Sequence, residues 1–161
     1  MKTHKTSLVG KSLDDFVDIC DIHNVERYRA EQIFNWIYKN KINDFESLKN
    51  IPKSFLKLLK EQTIIHPLIF IRSTESNSRL TNKFLFKTQR GALIESVLMN
   101  EGSRTTLCLS TQVGCALDCK FCATAKMGFI DNLDSGEIVD QYLLISEMLP
   151  KPITNVVFMG M

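Results

Sequence analysis

Three cysteines lie close together in the second half of the sequence, at Cys115, Cys119 and Cys122. This spacing puts three thiolates on one short loop, where they can converge on one metal centre. Iron–sulfur clusters are commonly held by four cysteines, so three would leave one iron of a 4Fe–4S cluster without a protein ligand. That open iron can bind the amino and carboxylate groups of a small molecule and transfer an electron to its sulfonium.

Two other roles for these cysteines remain open. Zinc could be held by the three thiolates together with Cys108, although structural zinc usually uses two widely separated cysteine pairs, which this sequence lacks. The thiols could also be inert core residues. The odd total of five cysteines does not fit a secreted disulfide framework and favours a reducing compartment. The fifth, Cys20, follows a helical apolar repeat and is predicted to lie in a core.

The composition is that of a globular protein, with 44% hydrophobic and 24% charged residues among 161. No apolar run approaches the ~20 residues that span a bilayer, and the polar start lacks the apolar core of a signal peptide. These features predict a soluble cytoplasmic protein. The net charge of +2 does not by itself identify a nucleic-acid binder.

The periodicity of apolar residues changes twice along the chain. The first sixty residues show helical repeats, with Ser12 as a predicted N-cap and Pro52 at the first position of a later helix. Alternating β-branched residues then predict four strands, at 68–73, 83–88, 93–99 and 105–110. A helix over 135–149, capped by Ser135, and a strand over 155–159 complete a strand–helix–strand unit, which is typical of a parallel α/β fold.

Two segments carry a family resemblance. Residues 110–129 read STQVGCALDCKFCATAKMGF, and residues 155–161 read NVVFMGM. The first resembles the cluster loop of radical S-adenosylmethionine enzymes, with Phe121 in the aromatic position. Both together resemble RNA adenine methyltransferases of the RlmN/Cfr type. Residues 28–38, YRAEQIFNWIY, look like that family's N-terminal helical domain, which engages RNA.

The resemblance implies an α/β fold in three parts. An N-terminal helical bundle at 1–63 would engage RNA, and a small antiparallel β extension at 64–103 would follow it. Residues 104–161 would supply the first strand, helix and second strand of a partial (β/α)6 barrel, with the 4Fe–4S loop. Because four barrel strands and the family's methyl-carrying cysteine are missing, the chain is expected to be an N-terminal fragment that does not methylate RNA alone.

The resemblance also implies a radical reaction that uses a 4Fe–4S cluster and two molecules of S-adenosylmethionine. One would methylate a cysteine in the C-terminal region, and the other would be cleaved at the cluster to generate the radical that moves the methyl carbon to C2 of an adenine. Cys115, Cys119 and Cys122 would hold the cluster. Glu95 would be a catalytic carboxylate, and Cys108 would resolve the protein–RNA adduct as it forms a disulfide with the emptied cysteine.

The partners implied by the resemblance are ribosomal RNA of the large subunit and the anticodon loops of transfer RNA. An external electron donor such as flavodoxin would reduce the cluster, and the protein would act as a monomer away from membranes. The alternative is a different class of protein, a zinc-stabilised RNA-binding module without catalysis.

From the residues alone, the roles of several charged side chains stay open. Glu95 shares a strand face with Leu93, Val97 and Met99, where burial would raise its pKa and suit proton transfer. The alternatives are a solvent-exposed face or pairing with a basic side chain. Four lysines close to one helical stripe could track phosphates or could form an ordinary solvated face: Lys49, Lys53, Lys57 and Lys60.

Overall fold

The computed structural model describes residues 5–117, 119–120, 122, 124–158 and 160. These residues form two compact units, Met1–Pro67 and Leu68–Met161. The predictions that concern Phe121, Met159 and Met161 lie outside the described residues. No helix in the described part of the chain is long and apolar enough to cross a membrane.

The first unit is mainly helical, as predicted. It contains two two-residue strands that pair in parallel, three α-helices and a 3-10 turn at Phe45–Ser47: β1 (Thr6–Ser7), α1 (Leu13–Ile22), α2 (Tyr28–Tyr38), α3 (Lys53–Gln62) and β2 (Thr63–Ile64). The sequence pattern did not predict the β1–β2 pair, because two-residue strands are too short to show periodicity.

Helix starts in this unit follow local capping chemistry. Ser12 is the N-cap of α1, as predicted, and forms a reciprocal capping box with Asp15. Hydrogen bonds from the backbone and side chain of Ser12 lower the pKa of the Asp15 carboxyl. The prediction for Pro52 was wrong by one position: it occupies the N-cap of α3, and the first helical residue is Lys53. Its missing N–H costs nothing in either position.

The core of the first unit contains buried residues of all three helices, together with Leu8, Val9, Leu48 and Ile65 outside them. Cys20 is fully buried beside this core, and burial raises the pKa of its thiol. The predicted structural role of Cys20 is therefore confirmed. The other buried residues on the three helices are Phe16, Ala30, Ile33, Ile37, Phe55 and Leu59.

The second unit is a mixed sheet with one helix. Its elements are β3 (Leu68–Glu75), β4 (Thr81–Thr88), β5 (Leu93–Glu101), β6 (Arg104–Leu109), β7 (Gln112–Gly114), β8 (Phe129–Asn132), α4 (Ser135–Met148) and β9 (Asn155–Phe158). The main sheet has the order β3-β4-β5-β6-β9. Strands β3 to β6 are antiparallel neighbours, and β9 pairs with β6 in parallel. The predicted strand–helix–strand unit is thus present, and it extends the antiparallel strands in one continuous sheet.

One face of this sheet carries the core, and α4 contributes Ile145 to it. The buried members of this cluster are Leu68, Phe84, Phe86, Ile94, Leu98, Leu107, Leu109, Val113, Leu133 and Ile145. Since side chains alternate along a strand, Glu95 and Val97 on β5 point to the opposite face. We call that second surface the open face of the sheet.

The start of α4 differs from the prediction. Asp134, not Ser135, is the N-cap, and its carboxylate accepts the backbone N–H of Glu137 at 2.7 Å. The Glu137 carboxylate accepts the Asp134 N–H in return, at 3.1 Å, which completes a capping box. The sequence D-S-G-E offers two candidate caps, and the acidic residue three positions after Asp134 decides between them.

Candidate cluster loop and catalytic residues

A two-stranded ladder closes the segment that holds the three clustered cysteines. Strands β7 and β8 pair antiparallel, with Gly114 opposite Phe129. We call the segment between them, residues 115–128, the cysteine loop. The backbone N–H of Cys115 donates to the Gly128 carbonyl at 3.1 Å, and that of Cys122 donates to the Cys119 carbonyl at 3.0 Å. The ladder, which the sequence pattern did not predict, therefore brings the two ends of the loop together.

Gly114 is required at the mouth of this loop for two reasons. Its φ of +72° lies in the left-handed region that glycine adopts without strain. A Cβ at this position would also lie 1.8 Å from the Gly128 carbonyl oxygen, far inside van der Waals contact. The close approach of the two backbones is thus possible only with glycine at position 114.

The three clustered cysteines are all partly exposed, and none of the five cysteines forms a disulfide. Within the described residues, no group of three His, Cys, Asp or Glu side chains is close enough to hold a metal ion. The chemistry of the donor set nevertheless fits an iron–sulfur cluster with one open iron. Three partly exposed thiols lie on one closed loop, and three cysteine ligands would leave one iron of a 4Fe–4S cluster open.

The carboxyl end of β9 meets the segment that enters the cysteine loop. The Gly160 carbonyl accepts the backbone N–H groups of Thr111 and Gln112, at 2.5 and 2.9 Å. A Cβ on Gly160 would lie 2.8 Å from the side-chain nitrogen of Gln112. Strands β6 and β9 are parallel, so the cysteine loop follows the carboxyl edge of the sheet, where open α/β sheets bind ligands.

Glu95 lies on the open face of the sheet and is paired with a base. Both of its carboxylate oxygens accept the Lys83 ammonium, each at 3.0 Å. The side chains are about half exposed, 51% for Lys83 and 44% for Glu95. Together with Arg72, Thr74 and Leu85 they line a shallow pocket of about 220 Å³. Glu95 is therefore accessible, and pairing with a basic side chain was one of the alternatives left open by the sequence.

Cys108 lies on the same face as Glu95, one strand away. It is opposite Val97 of β5 and Val157 of β9, and Glu95 is two residues from Val97 on one strand face. Cys108 is only 9% exposed, and this burial raises the pKa of its thiol. The structure thus puts both predicted catalytic residues on one surface of the sheet.

The Lys83–Glu95 pair is expected to add little to stability. Exposed ion pairs contribute about 0.2–1 kcal/mol, so a double-mutant cycle with Lys83→Met and Glu95→Gln should give a coupling energy below about 1 kcal/mol. The measurement is urea denaturation of the four variants. A coupling above about 2 kcal/mol would show that the pair is a structural element, and it would count against a catalytic role for Glu95.

Sequence reasoning missed a set of buried polar residues on α4. Among the apolar residues on α4 and just after it, Ile145 is buried, and Ile138, Tyr142 and Leu149 are partly buried against the core. The three missed residues are almost fully buried as well: Glu137, Asp140 and Gln141. Asp140 accepts the Leu68 backbone N–H at 3.0 Å and so ties the first residue of β3 to α4. The only signal was their position beside the apolar residues, which does not distinguish a buried polar group from a solvated one.

Arg90 compensates the buried Glu137 carboxylate and holds β8. From the β4–β5 hairpin its guanidinium donates to Glu137 at 2.7 Å and to Asp131 at 2.5 Å. It also donates to the Asn132 carbonyl at 3.2 Å. Burial raises the pKa of Glu137, while its hydrogen bond with Asp134 and the charge of Arg90 act in the opposite direction.

Replacing Arg90 should therefore destabilise the second unit in a pH-dependent way. A carboxylate whose pKa is raised by folding contributes stability below its unfolded pKa, which is lost as the pH rises through the folded pKa. Arg90→Met removes the compensating charge and raises the pKa of Glu137 further. We expect the free energy of unfolding to fall by about 2 kcal/mol at neutral pH, and by less near pH ~4, where Glu137 is largely protonated.

The matched control is Arg79→Met, which removes a hairpin arginine from a long, exposed ion pair with Glu75. It should cost less than about 1 kcal/mol at either pH. Urea denaturation at the two pH values measures both variants. If Arg90→Met lowers the free energy of unfolding equally at both pH values, Glu137 is not the carboxylate whose charge Arg90 compensates.

The predicted lysine stripe is only partly available for phosphates. Lys60 pairs with Glu46, and Lys57 lies 4.0 Å from Glu61. Lys49 and Lys53 are exposed. Lys53, Lys57 and Lys60 lie on α3, but Lys49 lies in a turn before this helix, so the prediction of one helical stripe of four lysines is wrong. The phosphate-binding role of these lysines stays a prediction.

Comparisons with known proteins give one consistent result. Residues 6–65 match the family described as "Ribosomal RNA large subunit methyltransferase N-terminal domain". A protein named probable dual-specificity RNA methyltransferase RlmN, from Aquifex aeolicus, is 46% identical over 138 residues, 85% of this chain and 39% of the relative. A protein of the same name from Thermotoga neapolitana is 42% identical over 155 residues, 96% of this chain and 45% of the relative.

A solved structure agrees with these relatives. The crystal structure of a radical SAM methyltransferase from Sphaerobacter thermophilus matches with a TM-score of 0.90 and 37% sequence identity. The match covers 97% of this chain and 47% of that one. The chain thus spans less than half the length of the proteins that it matches.

Proposed function

We propose that this chain, which is similar to proteins named RlmN over the length that it shares with them, supplies the RNA-engaging domain and the cluster loop of a radical S-adenosylmethionine RNA methyltransferase. The family resemblance and the α/β class predicted from the sequence are confirmed. The remaining strands and helices of the partial (β/α)6 barrel, and the activity of the whole protein, are part of the proposal. The observation that carries it is the closed loop with three accessible thiols at the carboxyl edge of the sheet.

Cys115, Cys119 and Cys122 are proposed to hold a 4Fe–4S cluster. When bound, the cluster would supply the electron for reductive cleavage of S-adenosylmethionine at its open iron. The chain's contribution is positional: β7 and β8 close the loop, and Gly160 fixes the segment that enters it. A protein electron donor of the flavodoxin kind would deliver the electron, as the resemblance implies.

Glu95 and Cys108 are proposed to act from the open face of the sheet. Glu95, accessible beside Lys83, would accept or donate a proton. Cys108, a buried thiol with a raised pKa, would stay protonated at neutral pH. It would therefore react only when a base removes its proton, which suits a thiol that must attack late, as the protein–RNA adduct is resolved.

The proposed substrate is an adenine in RNA, methylated at C2. The relatives are named dual-specificity RNA methyltransferases, which supports ribosomal RNA and transfer RNA as the two substrate classes. In the first unit, the exposed Lys49 and Lys53 are the residues proposed to contact phosphates.

The test is anaerobic reconstitution of the chain with iron and sulfide. We expect about four irons per chain, brown colour, and an electron paramagnetic resonance signal of the reduced cluster that changes when S-adenosylmethionine is added. Zinc in place of iron, in a colourless protein that still binds RNA, would overturn the proposal and support a zinc-stabilised RNA-binding module.

A further inference from the structure

We propose that Gln141 is a positioning residue that fixes the start of the cysteine loop against the strand that carries Glu95. Gln141 lies in the middle of α4 and is fully buried. The family resemblance assigned no role to this residue, and its burial was not predicted from the sequence. The consequence for the cluster rests on the proposed function, whereas the effect on the loop does not.

The side-chain amide of Gln141 uses its full hydrogen-bonding capacity. Its oxygen accepts the Ser96 hydroxyl at 2.7 Å and the Ser110 backbone N–H at 2.9 Å. Its nitrogen donates to the Ser110 carbonyl at 2.9 Å and to the Glu137 carbonyl at 3.2 Å. A primary amide has two acceptor sites and two N–H groups, so all four are used. No other residue type presents the same two donors and two acceptors at this length.

These hydrogen bonds join the two parts of the candidate site. Ser110 is the residue between β6 and the segment that leads into the cysteine loop, and Gln141 holds it through both backbone groups. Ser96 is the residue next to Glu95 on β5. The Ser110 hydroxyl in turn donates to the Glu95 carbonyl at 2.6 Å. A closed set of contacts among Glu95, Ser96, Ser110 and Gln141 therefore fixes the register of the loop relative to the Glu95 carboxylate.

The same helix also holds the far end of the loop. Glu137, one turn before Gln141, binds Arg90, which donates to Asp131 and to the Asn132 carbonyl in β8. Residues at i and i+4 lie on one side of a helix, so one side of α4 holds both ends of the cysteine loop. Gln141 contacts Ser110 directly, whereas Glu137 acts on β8 only through Arg90. We therefore expect a substitution of Gln141 to affect the loop more than a substitution of Glu137.

The test is hydrogen exchange of the metal-free, reduced chain. In Gln141→Met, which keeps the side-chain length but removes all four hydrogen bonds, the amides of Thr111, Gln112 and Cys115 should exchange roughly tenfold faster than in the parent chain. In Gln141→Glu, studied with the buried carboxyl protonated, one oxygen can still accept from Ser96 and Ser110 and the O–H can donate to one carbonyl, so the increase should be smaller. A smaller rise in exchange for Gln141→Glu than for Gln141→Met would show that the hydrogen bonds of Gln141 protect these amides, because lost packing alone would not distinguish the two variants.

Two controls separate positioning from general destabilisation. Leu143→Ala leaves a cavity at another buried position of α4 and weakens the whole unit. It should raise exchange in β4 and β5 at least as much as in residues 111–115. Ser110→Ala keeps the backbone bonds to Gln141 and loses only the contact with the Glu95 carbonyl, so it should change loop exchange less than Gln141→Met.

A second readout follows the cluster. After reconstitution, Gln141→Met should shift the reduction potential of the cluster, whereas Leu143→Ala should not. The inference is overturned if loop exchange in Gln141→Met rises no more than in Leu143→Ala. It is also overturned if the loop loosens while the reduction potential is unchanged. If the parent chain binds no iron, the proposed function fails, and the exchange experiment alone decides the role of Gln141.

Discussion

Changing Cys115, Cys119 and Cys122 together to alanine is expected to lower the iron content of the reconstituted chain from about four atoms to none. The three thiols lie on one closed loop and are accessible to the metal. Because iron–sulfur clusters are bound through thiolates, alanine leaves no replacement ligand. Iron and labile sulfide should be measured together, since adventitious iron binds without sulfide.

Two further cysteine variants make this result specific. Cys108→Ala should retain all of the iron, because Cys108 is predicted to be a reactive thiol and not a cluster ligand. If zinc were held by four thiolates that include Cys108, this variant would lose metal along with the loop variants. Cys20→Ala, in the core of the first unit, should retain the iron while lowering stability. Iron retained by the triple variant would refute the assignment of the cluster to the loop.

Much of the first unit could be predicted because its signals are local. Ser12 precedes an apolar repeat, with Asp15 three residues later, and both requirements of a capping box are visible in the sequence. The position of Cys20 in the same repeat identified it as a core residue. The predicted and observed positions of Pro52 differ by one residue, and both the N-cap and the first turn tolerate a missing N–H.

The elements that position the candidate site were harder to predict because they depend on distant contacts. The β7 and β8 segments have three and four residues, too short to show alternation, and they pair across the cysteine loop. Asp140 and Gln141 look like solvated helix residues, yet their partners are Leu68, Ser96 and Ser110, between 31 and 72 positions away. Periodicity shows which residues share a face, but not which polar group will find a buried partner.

The candidate site residues themselves were identified by spacing and resemblance, and the structure adds their relations. Cys108 and Glu95 occupy one face of the sheet because of the β5–β6 register. That register depends on how the hairpin between β5 and β6 closes, which the four predicted strand ranges do not specify. The pairing of Glu95 with Lys83 follows from the β4–β5 register in the same way. Their catalytic roles remain predictions.

Gly114→Ala is expected to prevent cluster assembly although all three cysteines remain. The new Cβ would lie 1.8 Å from the Gly128 carbonyl oxygen, so β7 and β8 would have to separate. A non-glycine residue at a φ of +72° adds strain of about 1–2 kcal/mol. With the mouth of the loop open, the thiols are no longer held on one closed loop. We expect the iron content to fall close to that of the triple cysteine variant.

Gly128→Ala is the matched control, because it changes the glycine at the other end of the cysteine loop with nearly the same backbone strain. Its φ is +69°, but a Cβ there has no atom within 4 Å. This variant should lose stability by about 1–2 kcal/mol and still bind iron. Because the two variants share the strain and differ in the clash, a difference in iron content isolates the closure of the ladder. Equal iron in both would mean that the cysteines find the cluster without β7 and β8, and that loop closure is not what positions them.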